Sequence, residues 1–357
     1  MSEFKIKLFG FNRSFVAALT CLLVLLPSCI REDIEGLRTR ERVVFSIVND
    51  APVTKALGSA PAAESAVSNW AVLVYENGAL VTSGTSSSDG AIEVTLPTGT
   101  YALCAVANYP VSGAGAFVPA NYTTLSSLSS YSLPYSSNSL DSFVLYGEGS
   151  LTVEAGGSAP VEMHVGRLLA RIQINCIEAG FDNPMAYERT VDLTGLGVTN
   201  VYGSCPLVSD LAYSSLSNLK TAWINPAGEF DSSYTGMLYN SIEATFDEAG
   251  DRFDIPHVFY VFPNPTTEAN DSRSTDTWCT RRTRVVVCGQ IGTTARYWSL
   301  TLPGPVVRNT SYVIEKAVLK GNGSLDPESG EEADIEYEMG DIDIDIDGGQ
   351  FNVSENS

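Results

Sequence analysis

Along most of this chain, short apolar or alternating runs are separated by clusters of Gly, Pro, Asn and Ser. The clear runs are VVFSIV (43–48), WAVLVY (70–75), AIEVTL (91–96), TYALCAVA (100–107), LLARIQINCI (168–177), HVFYVF (257–262), TRVVVC (283–288), RYWSLTL (296–302) and SYVIEKAVL (311–319). They are short and rich in Val, Ile, Tyr, Phe and Thr, which suits strands better than helices. The runs at 91–96 and 100–107 are joined by Pro97-Thr98-Gly99, which predicts a hairpin. Helical patterns are few. Ala60 to Ser68 and Ile242 to Glu248 each fit a short helix. Residues 121–142, rich in Ser, Tyr and Leu and without a fixed period, predict a long surface excursion. The pattern as a whole predicts an all-β protein built of sandwiches. Gly166-Arg167 is the predicted boundary between an N-terminal unit (56–166) and a C-terminal one (167–357) with an acidic tail.

The first residues break this pattern. Lys5, Lys7 and Arg13 precede an apolar run from Phe15 to Leu26, interrupted only by Thr20, and then Leu26-Pro27-Ser28-Cys29. A basic start, a short apolar core and a small residue read as a secretory signal over residues 1–28. The run is too short for a membrane-spanning helix. A cysteine directly after the small residue resembles the bacterial lipoprotein signal, in which Cys29 becomes the acylated first residue. Residues 30–42 are polar and charged and predict a tether.

The formal net charge is −21, from 21 basic and 42 acidic residues. Binding to nucleic acid or to anionic lipid rests on Lys and Arg, so neither is expected as a partner. Of seven cysteines, Cys21 lies in the signal and Cys29 at its end. The other five have irregular spacing and no C-x-x-C pair, which supports neither a disulfide framework nor a zinc or redox motif but leaves room for a single exported bridge. Cys104 and Cys176 fall within apolar runs and are expected to pack as small buried groups.

Catalytic chemistry finds little support. There are two histidines. His164 lies in VEMHV (161–165) on the face opposite Val161, Met163 and Val165, and reads as a solvated strand residue. His257 opens a strand after Pro256. No G-x-S-x-G, H-E-x-x-H or G-x-x-x-x-G-K is present. Trp70, Trp223, Trp278 and Trp298 are expected mainly in cores rather than on a sugar-stacking face. Asp343, Asp345, Asp347 and Gly348 match the opening of a calcium-binding loop, but Phe351 and Ser354 stand where later ligands belong. Neither an enzyme nor a cofactor or metal is expected.

Four segments together resemble the fimbrillin family, the pilins and pilus-associated lipoproteins of Bacteroidetes. They are Thr100 to Asn108, Val165 to Ile172, Phe259 to Asn264 and Val307 to Ile314. The resemblance implies two tandem β-sandwich domains of transthyretin-like, Greek-key type. It implies export as an outer-membrane lipoprotein and polymerisation on the cell surface by strand exchange with other fimbrial subunits. It also implies that a protease cuts after a basic residue near the N-terminus, removes the first strand and opens a groove. Here VVFSIV is the candidate first strand, with Val43, Phe45 and Ile47 on one face, and residues 29–55 form a tether and propeptide. Val53-Thr54-Lys55-Ala56 matches the family's Thr-basic-Ala pattern and nominates Lys55 as the cut site. Arg38, Arg40 and Arg42 are alternatives, but cutting there would leave the strand in place. At the other end, Asp341 to Asp347 alternates acid and isoleucine. Ile342, Ile344 and Ile346 form one apolar edge, either of a donor strand or of an ordinary terminal strand. The expected function is that of a fimbrial structural subunit contributing to adhesion. The alternatives are a lipid-retaining anchor or tip subunit, and a non-polymerising surface lipoprotein that binds glycan or a host protein.

Overall fold

The computed structural model describes residues 38–50, 64, 66–113, 115–157, 159–180, 190–208, 234–266, 282–327, 334–340, 343 and 344. These residues are almost wholly β. A seven-stranded sheet contains β1 (Arg40–Asn49), β2 (Trp70–Glu76), β3 (Ala79–Ser86), β4 (Ile92–Pro97), β5 (Gly99–Ala107), β7 (Leu145–Val153) and β8 (Val161–Arg167), in the order β3-β2-β5-β7-β8-β1-β4. The short β6 (Ser132–Pro134) instead pairs with β12 (Ser204–Pro206). A second sheet runs β14 (Arg252–Phe253), β10 (Ile177–Ala179), β18 (Thr310–Leu319), β9 (Ala170–Ile174), β15 (His257–Val261). Both β19 (Ile335–Met339) and β20 (Asp343–Ile344) also pair with β18. A third sheet runs β13 (Tyr239–Phe246), β11 (Val191–Thr199), β16 (Arg284–Ile291), β17 (Thr294–Thr301). One continuous apolar core runs from Val43 in β1 to Ile335 in β19.

Residue patterns explain the main placements. The unbroken apolar run of β2 is buried on both faces from Trp70 to Tyr75, and the Tyr75 hydroxyl donates to the Tyr122 carbonyl in the segment that follows β5. In β4 the alternation survives: Ile92 and Leu96 are buried while Glu93 faces water. Asn77 and Gly78 both have positive φ and close the β2–β3 hairpin, the backbone such a two-residue turn requires. A Cβ on Gly147 would lie 1.8 Å from the carbonyl oxygen of His164, so only glycine lets β7 and β8 approach this closely.

Two sequence-based expectations fail and a third holds only in part. The runs around Pro97-Thr98-Gly99 form strands but no hairpin: β4 pairs with β1, and β5 pairs with β2 and β7. The turn therefore carries the chain between strands that do not pair, and Thr98 N–H donates to Thr39 instead. The segment from Ile242 to Phe246 is strand β13, not helix, because Ile242 and Phe246 pack inward from an extended ladder with β11. Residues 121–142 are a surface excursion only in part, since many of them are exposed. They contain a one-turn helix, α1 (Leu125–Ser129), capped by Thr124, and they bury Leu128, Leu133 and Tyr135. The Tyr135 hydroxyl reaches across the chain to the carbonyl oxygen of Tyr260 at 2.5 Å.

Candidate functional site: the slot filled by the first strand

The sequence of β1 places Val43, Phe45 and Ile47 on one face and Arg42, Val44, Ser46 and Val48 on the other, and the structure turns the first face inward. Val43 and Phe45 are fully buried, and Ile47 packs against the same core. Its first half pairs antiparallel with β4, from Arg40 opposite Pro97 to Phe45 opposite Ile92. Its second half pairs parallel with β8, from Phe45 opposite Val161 to Asn49 opposite Val165. Phe45 is thus the hinge position at which β1 leaves one neighbour and joins the other. Among the described strands, β4 has no ladder partner besides β1. Taking β1 away would expose the backbone edges of β4 and β8 together with the pocket that holds Val43 and Phe45.

Polar contacts tie down both ends of this strand. At its start, Arg38 pairs with Glu76 at 2.5 Å and Arg42 pairs with Glu93 on β4. The Gly156 N–H donates to the Glu41 carboxylate at 3.1 Å. At its end, the Asp50 N–H donates to Val165, and Asn309 Nδ2 donates to the Asp50 carbonyl at 3.1 Å. His164 Nδ1 lies 3.0 Å from Asp50 Oδ2, so this histidine is half-buried and partnered rather than simply solvated. Asn49 Nδ2 donates to the carbonyl of Glu64 at 3.2 Å.

Glu64 connects the end of the strand to a buried charged cluster. Its side chain is fully buried, with one oxygen on Arg167 and the other on the Tyr260 hydroxyl. Arg171 Nε lies 3.5 Å away. Burial lowers the pKa of the Arg167 guanidinium and raises that of the Tyr260 phenol. Arginine still keeps its charge at any ordinary pH, so two buried cations face one carboxylate. The cluster joins the segment before β2 to β8, β9 and β15. Asn309, its backbone held at φ 52°, completes it by accepting from the Arg167 N–H through its side-chain Oδ1 at 3.2 Å.

The structure brings together parts of all four segments that resemble fimbrillins. Asn108, at φ 55°, binds Ala66 and Phe143 through its side-chain nitrogen and Ser68 through its oxygen. Phe143 links it to Tyr260, their ring centroids 4.6 Å apart, and Arg167, Tyr260 and Asn309 meet around Glu64 and the end of β1. Sequence reading missed Glu64, Glu76 and Glu93, since each is one acid among 42 acidic residues. Of the nominated site residues, Cys29, Lys55, Ile342 and Ile346 lie outside the described residues. The backbone of β20 sets Ile344 opposite Thr310 and Asp343 opposite Ser311.

The remaining chemistry is quiet. Cys104, Cys176, Cys205 and Cys288 are free and buried. Burial pushes the Cys104 thiol up to about 12 and the Cys205 thiol up to about 11, which makes both poor nucleophiles. Among the described residues, no three His, Cys, Asp or Glu are placed to hold a metal ion. No helix among them is long and apolar enough to cross a membrane.

No protein-family model matches the sequence, and no curated protein matches it. Solved structures do match. A candidate cell-adhesion protein from Bacteroides eggerthii superposes with a TM-score of 0.58 at 16% identity, over 85% of this chain and 95% of that one. A second, from Parabacteroides distasonis, gives 0.54 at 14% identity over 85% and 98%. A fimbrilin from Porphyromonas gingivalis gives 0.52 at 15% identity over 81% and 92%. The chain is therefore built on the all-β fold that these adhesion proteins share with the Porphyromonas gingivalis fimbrilin.

Proposed function

We propose that this protein is a non-catalytic structural subunit of a cell-surface fimbria, exported as an outer-membrane lipoprotein through Cys29. A cut after Lys55 releases residues 29–55, and with them β1. A strand from the next subunit then refills the slot in the N-terminal unit (56–166), while the unit at 167–357 completes the subunit. The observation that carries this reading is the position of β1: it is the ladder partner of β4, lies parallel beside β8 and fills the core with Val43 and Phe45. An incoming strand would regain the same hydrogen bonds and bury the same pocket, which is how strand addition gains both affinity and fit. Fimbrial and cell-adhesion proteins among the structural neighbours support the cell-surface role.

A second reading has its own support. Contacts at both ends of β1, from Arg38–Glu76 to Asn309–Asp50, suit a subunit that keeps its first strand and its lipid and serves as anchor or tip. Lys55→Ala separates the two. In a polymerising subunit this variant is expected to remain a lipid-bearing precursor that forms no ladder of polymers on denaturing gels. Normal polymers from the variant would overturn processing at Lys55.

A further inference from the structure

The slot is electrically lopsided. Along the first half of β1 the surrounding wall is acidic: Glu76 faces Arg38 and Glu93 faces Arg42. At the far end the wall offers nitrogen donors, His164 and Asn309, to Asp50. Behind them the buried Arg167 and Arg171 outnumber Glu64. The native strand matches this gradient, with bases at 38, 40 and 42 against the single acid Glu41, which takes a backbone N–H from Gly156, and with an acid at 50.

The chain's own tail does not match it. No basic residue follows Lys320. In the register that puts Ile342, Ile344 and Ile346 where Val43, Phe45 and Ile47 lie, Asp341 takes the place of Arg42 beside Glu93, and Tyr337 takes that of Arg38. Every other register also leaves Glu76 and Glu93 without a cation, because the tail has none to bring. Two copies of a chain with net charge −21 repel at longer range as well.

We infer that the slot selects a strand that is basic in its first half, and so takes the strand of a different protein rather than the acidic tail of a second copy. This rests on the proposed emptying and refilling of the slot. It makes the protein a hetero-assembling subunit whose partner carries Lys or Arg four residues apart, opposite Glu76 and Glu93. Exposed pairs of this kind are individually weak and screened by salt. Two of them lost or reversed together amount to about tenfold in affinity at low ionic strength.

The test uses the full mature chain, nicked after Lys55 with a lysine-specific protease and mixed with fluorescent peptides. One peptide carries residues 36–50, a second carries the same residues with Arg38→Glu and Arg42→Glu, and a third carries the tail, 335–349. The first is expected to exchange into the slot about tenfold more tightly than either of the others, and the gap should close in high salt. Glu76→Lys with Glu93→Lys in the protein should reverse the preference between the first two. A tail peptide that binds as tightly as the first, or a ranking unmoved by charge reversal, overturns the selectivity while leaving refilling intact. Failure of every peptide to enter, the native sequence included, overturns refilling itself and the inference with it.

Discussion

Phe45 is the largest side chain that β1 sends into the core, and it is fully buried. It also sits where the strand passes from β4 to β8, so its ring anchors both ladders. Replacing it by Ala removes most of a buried aromatic and leaves a cavity, a change that costs about 3–5 kcal/mol in well-packed cores. In the intact chain that loss should lower the melting temperature by roughly 10 °C. In a chain cut after Lys55, β1 is held only by non-covalent contacts, so the same loss appears as weaker retention. There it corresponds to release on the order of 100- to 4,000-fold easier. Calorimetry of the intact variant measures the first effect. Strand exchange against a labelled competitor measures the second. Val44→Ala is the control, because Val44 is only half-buried and faces the other way. If Phe45→Ala melts with the parent protein, β1 is not part of the folded core. If it melts lower but holds its cut strand as tightly as the parent, the strand is retained by its end contacts and the slot argument fails.

Other outcomes follow from single residues. Glu64→Gln should destabilise the chain by about 3–5 kcal/mol, because it leaves Arg167 and Arg171 buried without a counter-charge; an unchanged melting temperature would show that the cluster is not a structural pin. Cys29→Ala should yield a precursor that incorporates no labelled fatty acid, and label on that variant would remove the lipoprotein assignment. Ile344→Asp should lower the melting temperature if the tail is an ordinary edge strand on β18, and should abolish polymers at unchanged melting temperature if the tail is donated; no change in either measurement excludes both roles. Burial lowers the pKa of His257 below its ordinary value, and its Nε2 is buried without a hydrogen-bond partner. The unfolded chain therefore binds this proton first, so stability is full above about pH 6.5 and falls as pH drops toward the folded-state pKa. His257→Gln should flatten that decline in a melting series, and an identical decline would assign it to other groups.

The β character of the chain was legible because most strands are apolar and β-branched. Thus β2, β5, β16 and β17 could be read directly from their residues. Strands made of Gly, Ser and Thr were not legible. The eight residues of β3, ALVTSGTS, and the middle of β11, with Gly195 and Gly197, carry too few large side chains to show a period. Pairing was hidden for a different reason. Pro97-Thr98-Gly99 fits a hairpin locally, but β1, arriving from about fifty residues upstream, takes the edge of β4. Residues 121–142 read as loop because their hydrophobic side chains follow no period; tertiary contacts to Tyr75 and Tyr260, not local pattern, make them a cover. For the site, the inward face of β1 was visible as Val43, Phe45 and Ile47. The neighbours that grip it were not, since Glu64, His164 and Asn309 come from segments that only the fold brings together. Asn108 and Asn309 lay within the family-like segments, but their left-handed backbones, which Asn tolerates better than most residues, needed the structure to appear.

We propose that β1 is a removable filling for the slot between β4 and β8. The most direct measurement is N-terminal sequencing and intact mass of the protein taken from the native cell surface, alongside a denaturing gel of the same material. The account predicts a chain that begins at Ala56, carries no lipid and runs as a ladder of polymers. A surface protein that begins at Cys29, keeps β1 and still forms long polymers would contradict it.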